Sequence, residues 1–339
     1  MPTNARRTVG IWLLLCAAVV YLMIVVGGIT RLTQSGLSMV EWDPIMGFIP
    51  PMSKDEWLRV FELYRLSPEY LKVNAGMSLE SFKGIFWWEY GHRVLGRFIG
   101  LVYFIPLVFF LVKGWIPSAW RLRLFGLFIL GGLQGLMGWY MVKSGLVDVP
   151  HVSQYRLTAH LGLAVVIFIF MLWYALDFLR GWEKHERASK AYLGLTALSV
   201  VTVFAMMLSG GFVAGTKAGF IINTFPTMNG EWVPAGLWAM QPGWRNLFEN
   251  AVTVQFVHRL MALLVVVVLV SSFIKSRTEL FNTYSGWVVL ALVAQITLGI
   301  SALVYVVPVA LGAGHQAGAV ALLASTVFAA HVARKKKLR

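Results

Sequence analysis

The sequence predicts an all-α multi-pass membrane protein, with eight transmembrane helices arranged as two pseudo-two-fold-related four-helix bundles. Three observations predict it. The first is composition: of 339 residues, 58% are hydrophobic and only 13% charged, against roughly 25% charged in an ordinary soluble domain. A soluble fold of this size cannot hide so much apolar surface, which excludes a soluble enzyme as well as a disordered chain. The second is a set of eight apolar runs, each long enough to cross a bilayer. The third is an internal repeat that pairs the first four runs with the last four.

The runs lie near 10–30, 84–112, 121–142, 154–179, 190–211, 248–274, 284–306 and 309–332. The segment MPTNARR before the first run lacks a small-residue cleavage site and is too short for an Arg/Ser-rich transit peptide. An uncleaved first span is expected, in a bacterium rather than a mitochondrion. Two connections are long. The first, 31–83, holds seven of the 15 acids and a short surface helix that starts at the capping box Ser53-x-x-Glu56. The second, 212–247, is rich in Gly, Pro, Trp and Asn and reads as an irregular lid.

The formal charge of +14 raises the question of nucleic acid, and the distribution of that charge answers it. Sixteen of the 29 basic residues fall at the two termini or in three short alternate loops. They are Arg6 and Arg7; Lys113, Arg121 and Arg123; Arg180, Lys184, Arg187 and Lys190; Lys275 and Arg277; and Arg334, Lys335, Lys336, Lys337 and Arg339. This is the positive-inside pattern, with both termini in the cytoplasm and the long loops outside. The charge reports topology, not a polyanionic partner. Cys16, the single cysteine, builds neither a disulfide nor a thiolate metal site.

The repeat is read helix by helix. Gly27-Gly28 and Gly36 match Gly210-Gly211 and Gly219; Glu89-x2-His92-Arg93 matches Gln255-x2-His258-Arg259. Gln134-x3-Gly138 matches Gln295-x3-Gly299, and His160-x3-Ala164 matches His315-x3-Ala319. Four spans per half is an even number, so both halves enter the membrane from the same side and the repeat is parallel. The expected division is 1–185 and 186–339.

Four of the seven histidines, His92, His160, His258 and His315, lie inside even-numbered spans, 6–10 residues from their outer ends. At 1.5 Å per residue they share one depth. Two histidines at one level on two helices suit a haem iron held from both faces; zinc would demand three or four ligands per site. His151, His185 and His331 look ordinary. Glu89 shares the helix face of His92 and is matched by the neutral Gln255. A structural pair with Arg93 is one reading of it; an acid–base group present in one half only is the other, with one site doing chemistry and one passing electrons. Arg93 and Arg259 follow their histidines and are candidates to meet haem propionates, as are Arg31, Arg97 and Lys217, for which snorkelling to lipid headgroups is the alternative. Trp87 and Trp88 fit an interfacial aromatic belt.

At these residues the sequence resembles the haem A synthase family. The matching segments are Gly27-Gly28-Ile-Thr-Arg31-Leu-Thr-Gln-Ser-Gly36-Leu-Ser; Trp88-Glu89-Tyr90-Gly-His92-Arg93; Arg156-Leu-Thr-Ala-His160-Leu; Asn223-Thr-Phe-Pro-x-Met228; Gln255-Phe-Val-His258-Arg259; and His315-Gln316. The resemblance implies a membrane oxidoreductase acting on a CH group. It would oxidise the C8 methyl of haem O to a formyl group by successive hydroxylations, giving haem A for cytochrome oxidase. It further implies His92 and His160 as ligands of the substrate haem, Glu89 as the catalytic carboxylate, and His258 and His315 as ligands of a haem b cofactor. Without cysteine pairs in its outer loops, the chain resembles the cysteine-free class of alphaproteobacteria and mitochondria. A carboxylate in an apolar slot is expected to shuttle protons near neutral pH. Membrane lipid, an electron acceptor, haem O synthase and cytochrome oxidase assembly factors are the implied partners. The competing readings are a dihaem cytochrome b-type electron-transfer protein, which leaves the one-sided carboxylate unexplained, and a transporter, which leaves the histidines without a task.

Overall fold

A computed structural model describes residues 2–41, 48–145, 151–180, 188–278 and 282–334. The basic residues Lys184, Arg187, Lys335, Lys336, Lys337 and Arg339, together with His185 and the expected boundary between the halves, lie outside the described residues.

Eight long helices occupy the eight apolar runs: α1 Thr3–Leu32, α4 Leu79–Val112, α5 Ser118–Gly145, α6 Gln154–Arg180, α7 Lys190–Gly215, α9 Ala251–Thr278, α10 Asn282–Val304 and α11 Val309–Arg334. All eight contain a stretch long and apolar enough to span a membrane. Among the described residues there is no β-strand, only one isolated bridge between Met228 and Glu231. Two helices extend well beyond their apolar runs. α4 starts at Leu79, capped by Ser78, because polar Glu80, Ser81 and Lys83 continue the helix outside the apolar stretch. α1 starts at Thr3 for the same reason.

Neighbour relations repeat between the halves. In the first, α1 packs on α4 and α6, α4 on α5, and α5 on α6; in the second, α7 packs on α9 and α11, α9 on α10, and α10 on α11. Between the halves, α1 meets α11 and α6 meets α7. The central core is drawn mainly from α1, α6 and α11, with residues such as Leu13, Val165 and Leu323 almost wholly enclosed. α4, α5, α9 and α10 turn large apolar side chains outward, among them Ile105, Leu122, Val267 and Leu290. Such a surface suits lipid, not water.

The long connections are folded covers at one end of the bundle, here called the lid end. In the first, α2 (Lys54–Arg65) carries the expected capping box, with Ser53 accepting from the Glu56 N–H and Glu56 accepting from the Ser53 N–H. The short α3 (Pro68–Lys72) follows, capped by Ser67. An aromatic cluster of Phe61, Tyr64, Phe82 and Phe86 welds this lid to the projecting first turns of α4. The second lid is irregular, with two 3₁₀ turns and the short helix α8 (Asn246–Glu249). Asn223 ties it down by donating to the carbonyls of Gly219 and of Leu303 at the end of α10 (both 2.8 Å).

Candidate functional site

His92 sits on α4, His160 on α6, His258 on α9 and His315 on α11, so each half holds one pair on two of its helices. Every ring rests on a glycine of a neighbouring helix. A β-carbon placed on Gly27 of α1 would lie 3.1 Å from His92 Nε2, and one on Gly138 of α5 would lie 2.9 Å from His160 Cε1. In the second half the same construction puts Gly210 of α7 3.5 Å from His258 Cε1 and Gly299 of α10 2.7 Å from His315 Cε1. At Gly27, Gly138 and Gly299 a side chain would therefore push the histidine out of position, whereas at Gly210 a β-carbon would only touch the His258 ring. All four helices of a half contribute, two with a histidine and two with its seat.

Among the described residues, the buried Nδ1 atom of His160 has no hydrogen-bond partner. His258 is different: Ser209 Oγ lies 3.0 Å from its Nδ1, fixing the ring and leaving Nε2 as the free nitrogen. Such an outer partner orients an iron-ligating imidazole. The corresponding residue before the glycine pair in the first half is Val26, which has no hydroxyl to offer. Sequence reasoning missed Ser209, although a search of the repeat for differences as well as matches would have reached it. Among the described residues no three His, Cys, Asp or Glu side chains converge.

Glu89 is 2% exposed, but its surroundings are not the apolar slot that was expected. One carboxylate oxygen accepts from Ser38 Oγ (2.7 Å) and the Met39 N–H (2.8 Å) of the first lid. The other accepts from Nε (3.0 Å) and Nη2 (2.5 Å) of Arg93. The lid supplies these donors because the chain leaving α1 doubles back over the start of α4, a contact between residues some fifty positions apart. Gln255 occupies the matching place with the opposite polarity, donating to the carbonyls of Ala218 (2.9 Å) and Ile222 (3.0 Å) in the second lid.

The arginines that follow the two histidines act alike. Arg93 donates to the carbonyls of Met39 and Glu41, and Arg259 to those of Ile222 and Thr224. Arg31 donates from Nη2 to the carbonyl of Ala214 at the end of α7. Among the described residues, the Nε atoms of Arg31 and Arg259 are buried without a hydrogen-bond partner. Arg97 lies over the Phe48 ring and Lys217 stands at the start of a 3₁₀ turn. His151 contacts the Gly215 carbonyl and His331 pairs with Asp177 near the end opposite the lids. Trp87 and Trp88 are half exposed, as an interfacial position requires.

Residues 10–327 match the model of the COX15-CtaA family, described as cytochrome oxidase assembly protein. The chain belongs to this family. Among its relatives, a heme A synthase of Nitrosospira multiformis is 50% identical over 98% of this chain and 95% of its own length. Those of Parvibaculum lavamentivorans and Nitrosomonas eutropha are each 48% identical, over 94% and 96% of this chain and 92% and 94% of their own lengths. Among the described residues of this family member, six of the eight long helices and all four paired histidines fall within the matched region, which also takes in most of α1 and α11.

Proposed function

We propose that this membrane protein is a haem A synthase that oxidises the C8 methyl of haem O to a formyl group by successive hydroxylations, an oxidoreductase acting on a CH group. The observation that carries the reading is near-full-length identity to proteins of that name. The paired histidines and the one-sided carboxylate support it. On this reading residues 1–185 form the substrate half and 186–339 the cofactor half, related by a pseudo-two-fold axis that the matched helix neighbours favour. Both termini face the cytoplasm across the inner membrane, following the charge distribution.

The C-terminal half suits a haem b cofactor. His258 and His315 provide two nitrogen ligands, glycine seats hold both rings, and Ser209 steadies one of them. A haem b held there by His258 and His315 would supply electron transfer. Arg259, with its buried unpartnered Nε, is the residue to hold a propionate. In the N-terminal half His92 and His160 orient the substrate haem, and Arg31 is the matching propionate candidate. Arg93, a second candidate there, reaches a propionate only by releasing Glu89 or a lid carbonyl. Glu89 binds the first lid, helps exclude water from the substrate methyl and accepts a proton as that carbon is oxidised. The electron acceptor, haem O synthase and oxidase assembly factors are the expected partners outside the chain.

The test is haem extraction from membranes of cells that make haem O, with and without this chain. Haem A is expected only with it. Haem O remaining the sole product would leave a dihaem electron-transfer protein as the better account.

A further inference from the structure

Three acids are buried among the described residues: Glu89, Glu69 and Asp177. Asp177 pairs with His331 at the end opposite the lids. Glu69 is harder to explain as packing. It lies on α3 inside the first lid, 7% exposed, and forms no ion pair among the described residues. Its one side-chain hydrogen bond in view is from Tyr64 Oη, which donates to Oε2 at 3.3 Å. Tyr64 in turn accepts from Asn74 Nδ2 at 2.7 Å, and Asn74 is partly exposed. The charged groups facing Glu69 from the adjoining elements are Arg31 of α1 and Glu89 of α4, the latter held by Arg93.

Burial, with repulsion from Glu89 as the second cause, pushes the Glu69 carboxyl up to about 7; the Tyr64 hydroxyl and Arg31 pull the other way. A group balanced there exchanges protons at physiological pH, whereas a carboxylate serving only to fasten the lid would be expected to pair with a cation. The second lid has no equivalent. Glu231 is exposed and spent on the Ala235 N–H, and Glu249 is spent on Arg245 and Tyr155.

The geometry points to Glu69 as a proton-relay residue of the N-terminal site, carrying protons between Glu89 and the aqueous phase over the first lid. The inference rests on the reading of Glu89 given above. In the step, the O–H bond of a protonated Glu89 breaks as one forms on an intervening water, whose own proton passes to the Glu69 carboxylate. Glu69 then releases the proton to water beside Tyr64 and Asn74, and neither residue is oxidised or reduced. The second half, which does no oxidation of substrate, has no need of such a path.

The experiment measures conversion of haem O to haem A between pH 5.5 and 8.5 by the intact membrane protein and its Glu69→Gln, Glu69→Asp and Glu89→Gln variants. Bound haem b is followed by its reduced spectrum as a check on folding. E69Q is expected to lose roughly tenfold or more in rate and the limb of the pH profile near 7, with haem b unchanged. E69D is expected to keep that limb and recover much of the rate. A wild-type rate and profile in E69Q overturns the relay, as does an equal loss at every pH with the profile unchanged. Loss of activity in E89Q alone overturns the relay and leaves the reading of Glu89 standing; full activity in E89Q overturns both.

Discussion

At the position three residues before the first histidine of each half, Glu89 and Gln255 do the same mechanical work with opposite hydrogen-bond polarity. Glu89 accepts from the first lid; Gln255 donates to the second. The lids have adapted to match, one presenting an N–H and a hydroxyl, the other two carbonyls. The arginines that follow the histidines likewise hold lid carbonyls in both halves. The comparison teaches that fastening the lid is the property the halves share, and that negative charge is the property only one retains. A structural pairing with Arg93 and the proposed catalytic role therefore do not compete: the pairing holds in place the group to which that role is assigned.

Three substitutions probe this division. The largest effect is expected from His258→Ala, which removes one of the two nitrogens proposed to hold haem b. The low-spin haem b spectrum and haem A formation should both disappear, and an unchanged spectrum would move the cofactor elsewhere. Next comes Glu89→Gln, which gives the first half the side chain that serves the second. Haem b should remain while haem A formation falls by roughly 100-fold or more; retained activity would show that shape, not charge, matters at this position. The smallest is Ser209→Ala. Loss of an outer partner of this kind weakens binding by about tenfold or more, so haem b should leave purified protein faster than from the wild type. Equal retention would remove Ser209 from the site.

Much of the fold was legible because lipid imposes a simple rule: a run of apolar residues becomes a helix. The eight spans and the Ser53 capping box followed from local pattern alone. The start of α4 was misjudged because its first turns are stabilised by a lid and not by lipid, so their polarity disguised them. The histidine pairs were legible through the repeat, and so were the glycines, though not the reason for them. The donors to Glu89 and the burial of Glu69 were not legible. Both depend on chain segments remote in sequence folding over the bundle, and no periodicity records such a contact.

The meeting of the first helix with the last has a consequence for how the protein is made. Gly28 of α1 lies against the side chain of Gln316, whose Nε2 donates to the Ile24 carbonyl at 2.8 Å, and Tyr21 Oη donates to the Ala317 carbonyl. The helix that seats His92 is thus braced by α11, which is synthesised after the seven spans before it. Insertion of the first four spans cannot finish the first slot, which stays open on one flank until α11 has joined it. A truncation that removes α11 should therefore damage both slots at once, leaving no half-protein competent to hold a haem prematurely.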